Sequence, residues 1–203
     1  ITWTAVELTP PPSGFPQNLN LTTFGNWIDI AYGNGRFVAI SNDGFTGTGL
    51  ATGSMKRVMT SEDGVTWTPR PGVPEILWTS ITHNGKTGSE GRFVAVAASG
   101  TDNRVMTSPD GITWTVQTTA DNNYWYSVTY GKGQFVAVSR FQGNGEETSN
   151  NVMTSPDGVN WTARSGPRNS WSGLTYGNGQ FVAVSDGGGF GLRRVMKIGR
   201  AHV

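Results

Sequence analysis

One spacing governs what this chain folds into. Trp67, Trp114 and Trp161 stand 47 residues apart, and each closes the same phrase: "SEDGVTW", "SPDGITW" and "SPDGVNW". The pairs Val58-Met59, Val105-Met106 and Val152-Met153 keep that interval, with Val195-Met196 following 43 later. A second series, Trp27, Trp78, Trp125 and Trp171, is spaced 51, 47 and 46 residues. With Trp3 added to the first series, all eight tryptophans are used. A fixed period of this length is the mark of a repeat architecture.

Within one period lie four strand-like runs. In the third unit they are "YWYSVTYG" (124–131), "QFVAVS" (134–139), "NVMTS" (151–155) and "NWTAR" (160–164). The first two are aromatic and β-branched and bounded by Gly, as strands are. "YGNG" at 32–35 and 176–179, and "YGKG" at 130–133, read as tight hairpin turns. A helical solenoid would need 3.6-residue periodicity, which is absent. Four short antiparallel strands per period predict an all-β fold, a β-propeller of four blades. The blade cores fall at 27–67, 78–114, 125–161 and 171–196, the last joined by residues 1–4.

Composition removes several function classes. There is no Cys, so there are no disulfides or thiolate metal sites. With only His83 and His202, a multi-histidine metal centre is not expected. No apolar run approaches the 18 or so residues of a membrane helix. The "GNG" and "GGG" strings lack the helix that a phosphate loop needs, and the acidic loops lack EF-type spacing. No cofactor is expected.

The recurring Ser-x-Asp-Gly-x-x-Trp phrase resembles the Asp-box, or BNR-like, propellers, whose superfamily includes the sialidases. It is a shortened variant, since the usual box has one further residue between Asp and Gly. Asp63, Asp110 and Asp157 are read as turn residues accepting hydrogen bonds from their own backbone. The following Gly supplies a positive φ, and Trp67, Trp114 and Trp161 pack across the hairpin. A catalytic acid is needed once, whereas a blade turn is needed in every blade. The sialidase resemblance would also imply an arginine triad and a Tyr nucleophile with a partnering acid. Arg57, Arg104 and Arg194 precede the third strands, roughly 10 Å further from the axis than the innermost ones, so they diverge. Tyr32, Tyr130 and Tyr176 lie at the hairpin turns on the other face, and no Phe/Tyr-Arg-Ile-Pro motif is present.

The two ends raise the question of closure. "ITWT" at 1–4 repeats residues 112–115, and "RVM" at 194–196 reads as a third strand. Either these pair and close a four-bladed ring, or the chain is a piece of a larger propeller whose open edges make homo-oligomers. The tail 198–203, "IGRAHV", is what ATC GGA AGA GCA CAC GTC encodes, and it resembles read-through into a short-read sequencing adapter. The propeller domain is therefore taken as 1–197 and the tail kept out of fold reasoning. Leaving out Arg200 takes the formal net charge from +1 to 0, and no nucleic-acid partner is expected.

Function is sought on one face. In a propeller, the first-to-second and third-to-fourth strand turns share one face, and here those turns repeat. The other face carries loops that differ in every unit: 41–56, 97–103, 139–150 and 185–193, with the connections 69–77, 116–123 and 163–169 and a leader at 5–26. Function concentrates in loops on a rigid scaffold. The aromatic candidates there are Phe45, Tyr124, Tyr126, Phe141 and Phe190. Their polar companions are Asp43, Asp102, Asn122, Asn123, Glu146, Glu147 and Asp186. The Trp27 series either stacks on sugars at the channel mouth or packs between blades. The expectation is a non-catalytic module recognising a glycan or surface receptor, extracellular or on a virion or cell surface, as on a phage tail fibre. A sialidase-like glycoside hydrolase fragment and a protein-interaction scaffold are the alternatives.

Overall fold

The computed structural model of the chain describes residues 26–42, 57–140, 148–186 and 195–198. Each unit opens with a hairpin whose turn chemistry is local. Asn34-Gly35, Lys132-Gly133 and Asn178-Gly179 all have positive φ at both positions (46–47° then 76–79°), the turn whose twist matches that of the flanking strands. Blade 1 comprises β1 (Trp27–Gly33), β2 (Arg36–Ser41), β3 (Val58–Ser61) and β4 (Thr68–Arg70). Blade 2 comprises β5 (Trp78–His83), β6 (Phe93–Ala97), β7 (Val105–Ser108) and β8 (Thr115–Gln117). Blade 3 comprises β9 (Tyr124–Gly131), β10 (Gln134–Arg140), β11 (Thr148–Ser155) and β12 (Thr162–Pro167). In blade 4 the described strands are β13 (Trp171–Gly177), β14 (Gln180–Ser185) and β15 (Val195–Ile198). Within every sheet the strands lie in sequence order and antiparallel. The molecule is an all-β, four-bladed propeller.

The inner strands share one irregularity. The pairing register shifts just after Trp27, Trp78, Trp125 and Trp171. An extra residue there resets the side-chain alternation, so the Trp and the residue three positions on reach the same core. Trp78 and Ile81 thus join Val38, Ile40 and Val58 of the preceding blade. Trp125 and Val128 join Val94, Val96 and Val105. Trp171 and Phe181 join Val136, Val138 and Val152. The core is therefore three apolar layers, one between each pair of successive blades.

Inner strands touch in the order β1–β5–β9–β13, and among the described residues no comparable packing joins β13 back to β1. The pairing of residues 1–4 with the last blade lies outside the described residues, as do Arg194 and 199–203. Among the described residues, no helix is long and apolar enough to cross a membrane.

Candidate functional site

The box aspartates come first because carboxylates repeated at one place invite a catalytic reading. Asp63 Oδ1 accepts from the Ser61 hydroxyl (2.9 Å) and from the Val65 and Thr66 N–H groups (2.8 and 2.7 Å). Asp110 and Asp157 accept the same three bonds in their own units. In each box the Trp indole donates to the Gly carbonyl three residues back. The Thr66 and Val65 N–H groups hold the Asp63 carboxyl far below the usual carboxylate range. At Asp157, burial pushes the pKa up but is outweighed by the Asn160 N–H and amide, the Val159 N–H and the Ser155 hydroxyl, leaving it at about 2. Asp110 also moves down, burial being outweighed by the Thr113 and Ile112 N–H groups and the Ser108 hydroxyl. Such groups stay ionised near neutral pH and have no proton to give, which removes them from general-acid chemistry.

The opposite face is built from residues that break the repeat. Tyr124 stands where the other units have Asn26, Leu77 and Ser170, and Tyr126 where they have Ile28, Thr79 and Ser172. Asp102 and Asn122 form a reciprocal pair: the Asn122 amide donates to Asp102 Oδ1 (2.6 Å) while the Asp102 N–H donates to Asn122 Oδ1 (2.8 Å). Asn123 donates to the Asn150 carbonyl (2.7 Å) and ties the blade 2–3 connection to β11. The buried Arg104 donates to the carbonyls of Gly100 (2.8 Å) and Asn123 (2.7 Å). Its guanidinium lies 5.5 Å from the Tyr124 ring centre. Arg140 lies 3.6 Å from the Tyr126 ring centre and forms an ion pair with Asp186 of blade 4.

The structure thus gathers Asp102, Asn122, Tyr124, Tyr126 and Asp186 into a belt across blades 2 to 4. Phe45, Phe141, Phe190, Asp43, Glu146 and Glu147 lie outside the described residues. Trp78, Trp125 and Trp171 are fully buried and donate to the carbonyls of Pro74 and Asp121 in the connections leading into them and of Pro167 at the end of β12. They pack between blades and offer no ring face to a sugar. Two members of the belt were not nominated from sequence as ligand-site residues, Arg104 and Arg140. Arg140 does carry a signal: the other units have Asn42, Ala98 and Asp186 at that strand end. Arg57 and Arg104 are both buried, each just before the third strand of its own blade.

The belt supplies aromatic surface, amide and carboxylate hydrogen-bonding groups and the Arg140 guanidinium, with the buried Arg104 behind Tyr124. Among the described residues, no group of three or more His, Asp or Glu is placed to hold a metal ion. No protein-family model and no curated protein matches the chain. Solved structures do. The structure of YCF48 bound to D1 peptide superposes with a TM-score of 0.53 at 16% identity, covering 88% of this chain and 55% of that one. The chain therefore spans about half the length of that YCF48 chain. The computationally designed Ika4 protein superposes with a TM-score of 0.56 at 12% identity, covering 98% of both chains. At these identities the likeness is one of fold.

Proposed function

We propose that this chain is a non-catalytic binding module that recognises a glycan or surface receptor, outside the cell or on a virion, through the Tyr124–Tyr126 belt. The observation that carries the reading is the meeting of repeat-breaking residues from three blades on one face, with both tyrosines backed by arginines. Aromatic rings flanked by amides and a carboxylate suit a ligand with apolar C–H faces and many hydroxyls, and a few placed polar groups fix its orientation. The Ser–Asp–Gly–Trp turns support placing the repeats among the Asp-box propellers as a shortened variant. Catalysis is left out because the box carboxylates are committed to their own turns.

A glycan-array screen with the purified chain, beside a Tyr124→Ala/Tyr126→Ala double variant, tests this. Selective binding by the wild type, lost in a variant with an unchanged melting curve, is the expected result. Binding retained by the variant removes the belt as the site, and no glycan bound by folded protein removes the glycan reading. The peptide bound to YCF48 favours a second reading, a protein-partner scaffold, and the same variant pair on a displayed-peptide library tests it.

A further inference from the structure

Three blade-to-blade seams share an inner-strand hydrogen bond and a buried apolar layer, and two of them also share a ring seated on glycine. At the turn face, the His83 ring seats on Gly33 and the Tyr176 ring on Gly131, where an added Cβ would fall 2.2 Å from the ring in both cases. Deeper in, one inner strand donates to a side chain of the preceding one: Ile81 N–H to Asp29 Oδ2 (2.9 Å), Val128 N–H to Ser80 Oγ (3.2 Å) and Leu174 N–H to Ser127 Oγ (3.1 Å). Below that, Ile40, Val96 and Val138 are fully buried, as are Val58 and Val105.

The end blades carry the two halves of one more such seam. On blade 1, Tyr32 leans on its own Phe37 (4.7 Å between ring centres), in the pose of His83 on Phe93 and Tyr176 on Phe181 (4.4 and 4.8 Å). Yet Tyr32 is 58% exposed and Ile30 53%, whereas Ile81 and Val128, the counterparts of Ile30, are 5% and 4% exposed. On blade 4, a Cβ at Gly177 would meet nothing within 4 Å. Val184 and Val195, the counterparts of Ile40 and Val58, are 48% and 63% exposed. The polar groups agree. Gly173 offers no side-chain acceptor, and the Ile30 N–H that would need one already donates to Asp29 Oδ1 (2.9 Å).

We propose that these faces are an interface between two copies of the chain, with Tyr32 of one copy seated on Gly177 of the other. The occupant is a second copy because the two faces match each other ring to notch and valine to isoleucine, continuing the pattern of the sealed seams. Propeller rings hold about four to eight blades, so two copies complete an eight-bladed ring through two equivalent contacts. A cavity of about 290 Å³ beside β15, lined by Val136, Thr154, Arg164, Met196 and Ile198, agrees with this. Trp114 and Trp161 pack against the first two interblade cores; among the described residues the third has no box Trp.

Sedimentation equilibrium tests the proposal. The wild type is expected at twice the 21.7 kDa of one chain. Gly177→Val, with open space for its side chain in a single copy, is expected at the single-chain mass with an unchanged circular dichroism spectrum. Tyr32→Ala is expected to raise the dimer Kd about tenfold or more. A wild type at single-chain mass throughout overturns the proposal. So does a dimer that survives Gly177→Val.

Discussion

The box carboxylates of the turn face and the polar side chains of the other face are used in opposite ways, although Asn34 on the turn face also donates to Pro109 of blade 2. On the turn face, each box carboxylate serves its own backbone, and three blades do this with the same atoms. On the other face, polar side chains reach from blade to blade, Asp102 to Asn122 and Arg140 to Asp186, and neither contact recurs. A hairpin must satisfy its own N–H groups whatever lies beside it, so the turn face has one solution used repeatedly. The other face meets its backbone groups with a different side chain in each unit, as Arg104 and Asn123 do for nearby carbonyls, so its residues vary from blade to blade. Variants should therefore separate cleanly, with turn-face changes costing stability and belt changes costing binding.

The largest effect is expected from Gly158→Val. That box glycine has φ +77°, and a Cβ would fall 2.7 Å from a Val94 methyl of the preceding blade. Left-handed strain and overpacking together should cost about 3 kcal/mol or more, read as a lower denaturation midpoint. Gly133→Ala has a similar φ but open space around it, and should cost only about 1 kcal/mol. Equal losses at the two sites would mean that the box does not lock one blade to the next.

Asp110→Ala comes next. It strands the Ile112 and Thr113 N–H groups and the Ser108 hydroxyl, at a cost of about 1–3 kcal/mol, with ligand affinity unchanged in the folded protein. Acid should act in the same direction. The Asp157 pKa of about 2 lies below its ordinary 3.8, so its contribution is complete above about pH 4 and is lost as pH falls through 2. Asp157→Asn should flatten that part of a stability–pH curve.

Tyr126→Ala, on the opposite face, should shift stability by about 1 kcal/mol, the worth of the ring's contact with Arg140. Ligand affinity should fall at least about tenfold by titration. A large stability loss with unchanged affinity would make the belt part of the scaffold and erase the contrast between the faces.

What could be read from sequence follows the same division. The 47-residue period and the Asn-Gly and Lys-Gly turns announce the blades because hairpins are local. The last hairpin of blade 3 is less legible: β11 and β12 run on to pair Thr148 with Pro167, past an irregular stretch after Ser149, where Thr, Ser, Asn and Pro read as loop. Tyr124, Tyr126, Asp102, Asn122 and Asp186 stand out because they interrupt a repeat. Their pairing does not, because blade-to-blade contacts depend on how one sheet leans on the next. Arg140 in particular looks like a loop residue until β10 brings it over Tyr126.

One position tests whether the turn face is as uniform as it looks. Where the other units have Tyr32, Tyr130 and Tyr176, blade 2 has His83, followed by a longer turn with a single 3-10 turn at Gly88–Glu90. His83 packs on Phe93 and against Gly33, and its Nδ1 accepts the Gly85 N–H (3.1 Å). Burial lowers its pKa below the ordinary 6.5, so the folded chain prefers the neutral ring. The unfolded chain takes up the proton first, and the stability His83 contributes is complete above pH 6.5 and declines as pH falls below it. Melting temperatures at pH 7.5 and 5.5 should differ slightly in the wild type, and that difference should shrink in His83→Tyr, which restores the residue of the other blades. The effect should be the smallest of those above, since the ring is only half-buried. An unchanged difference in the variant would move the pH response away from the blade 1–2 seam.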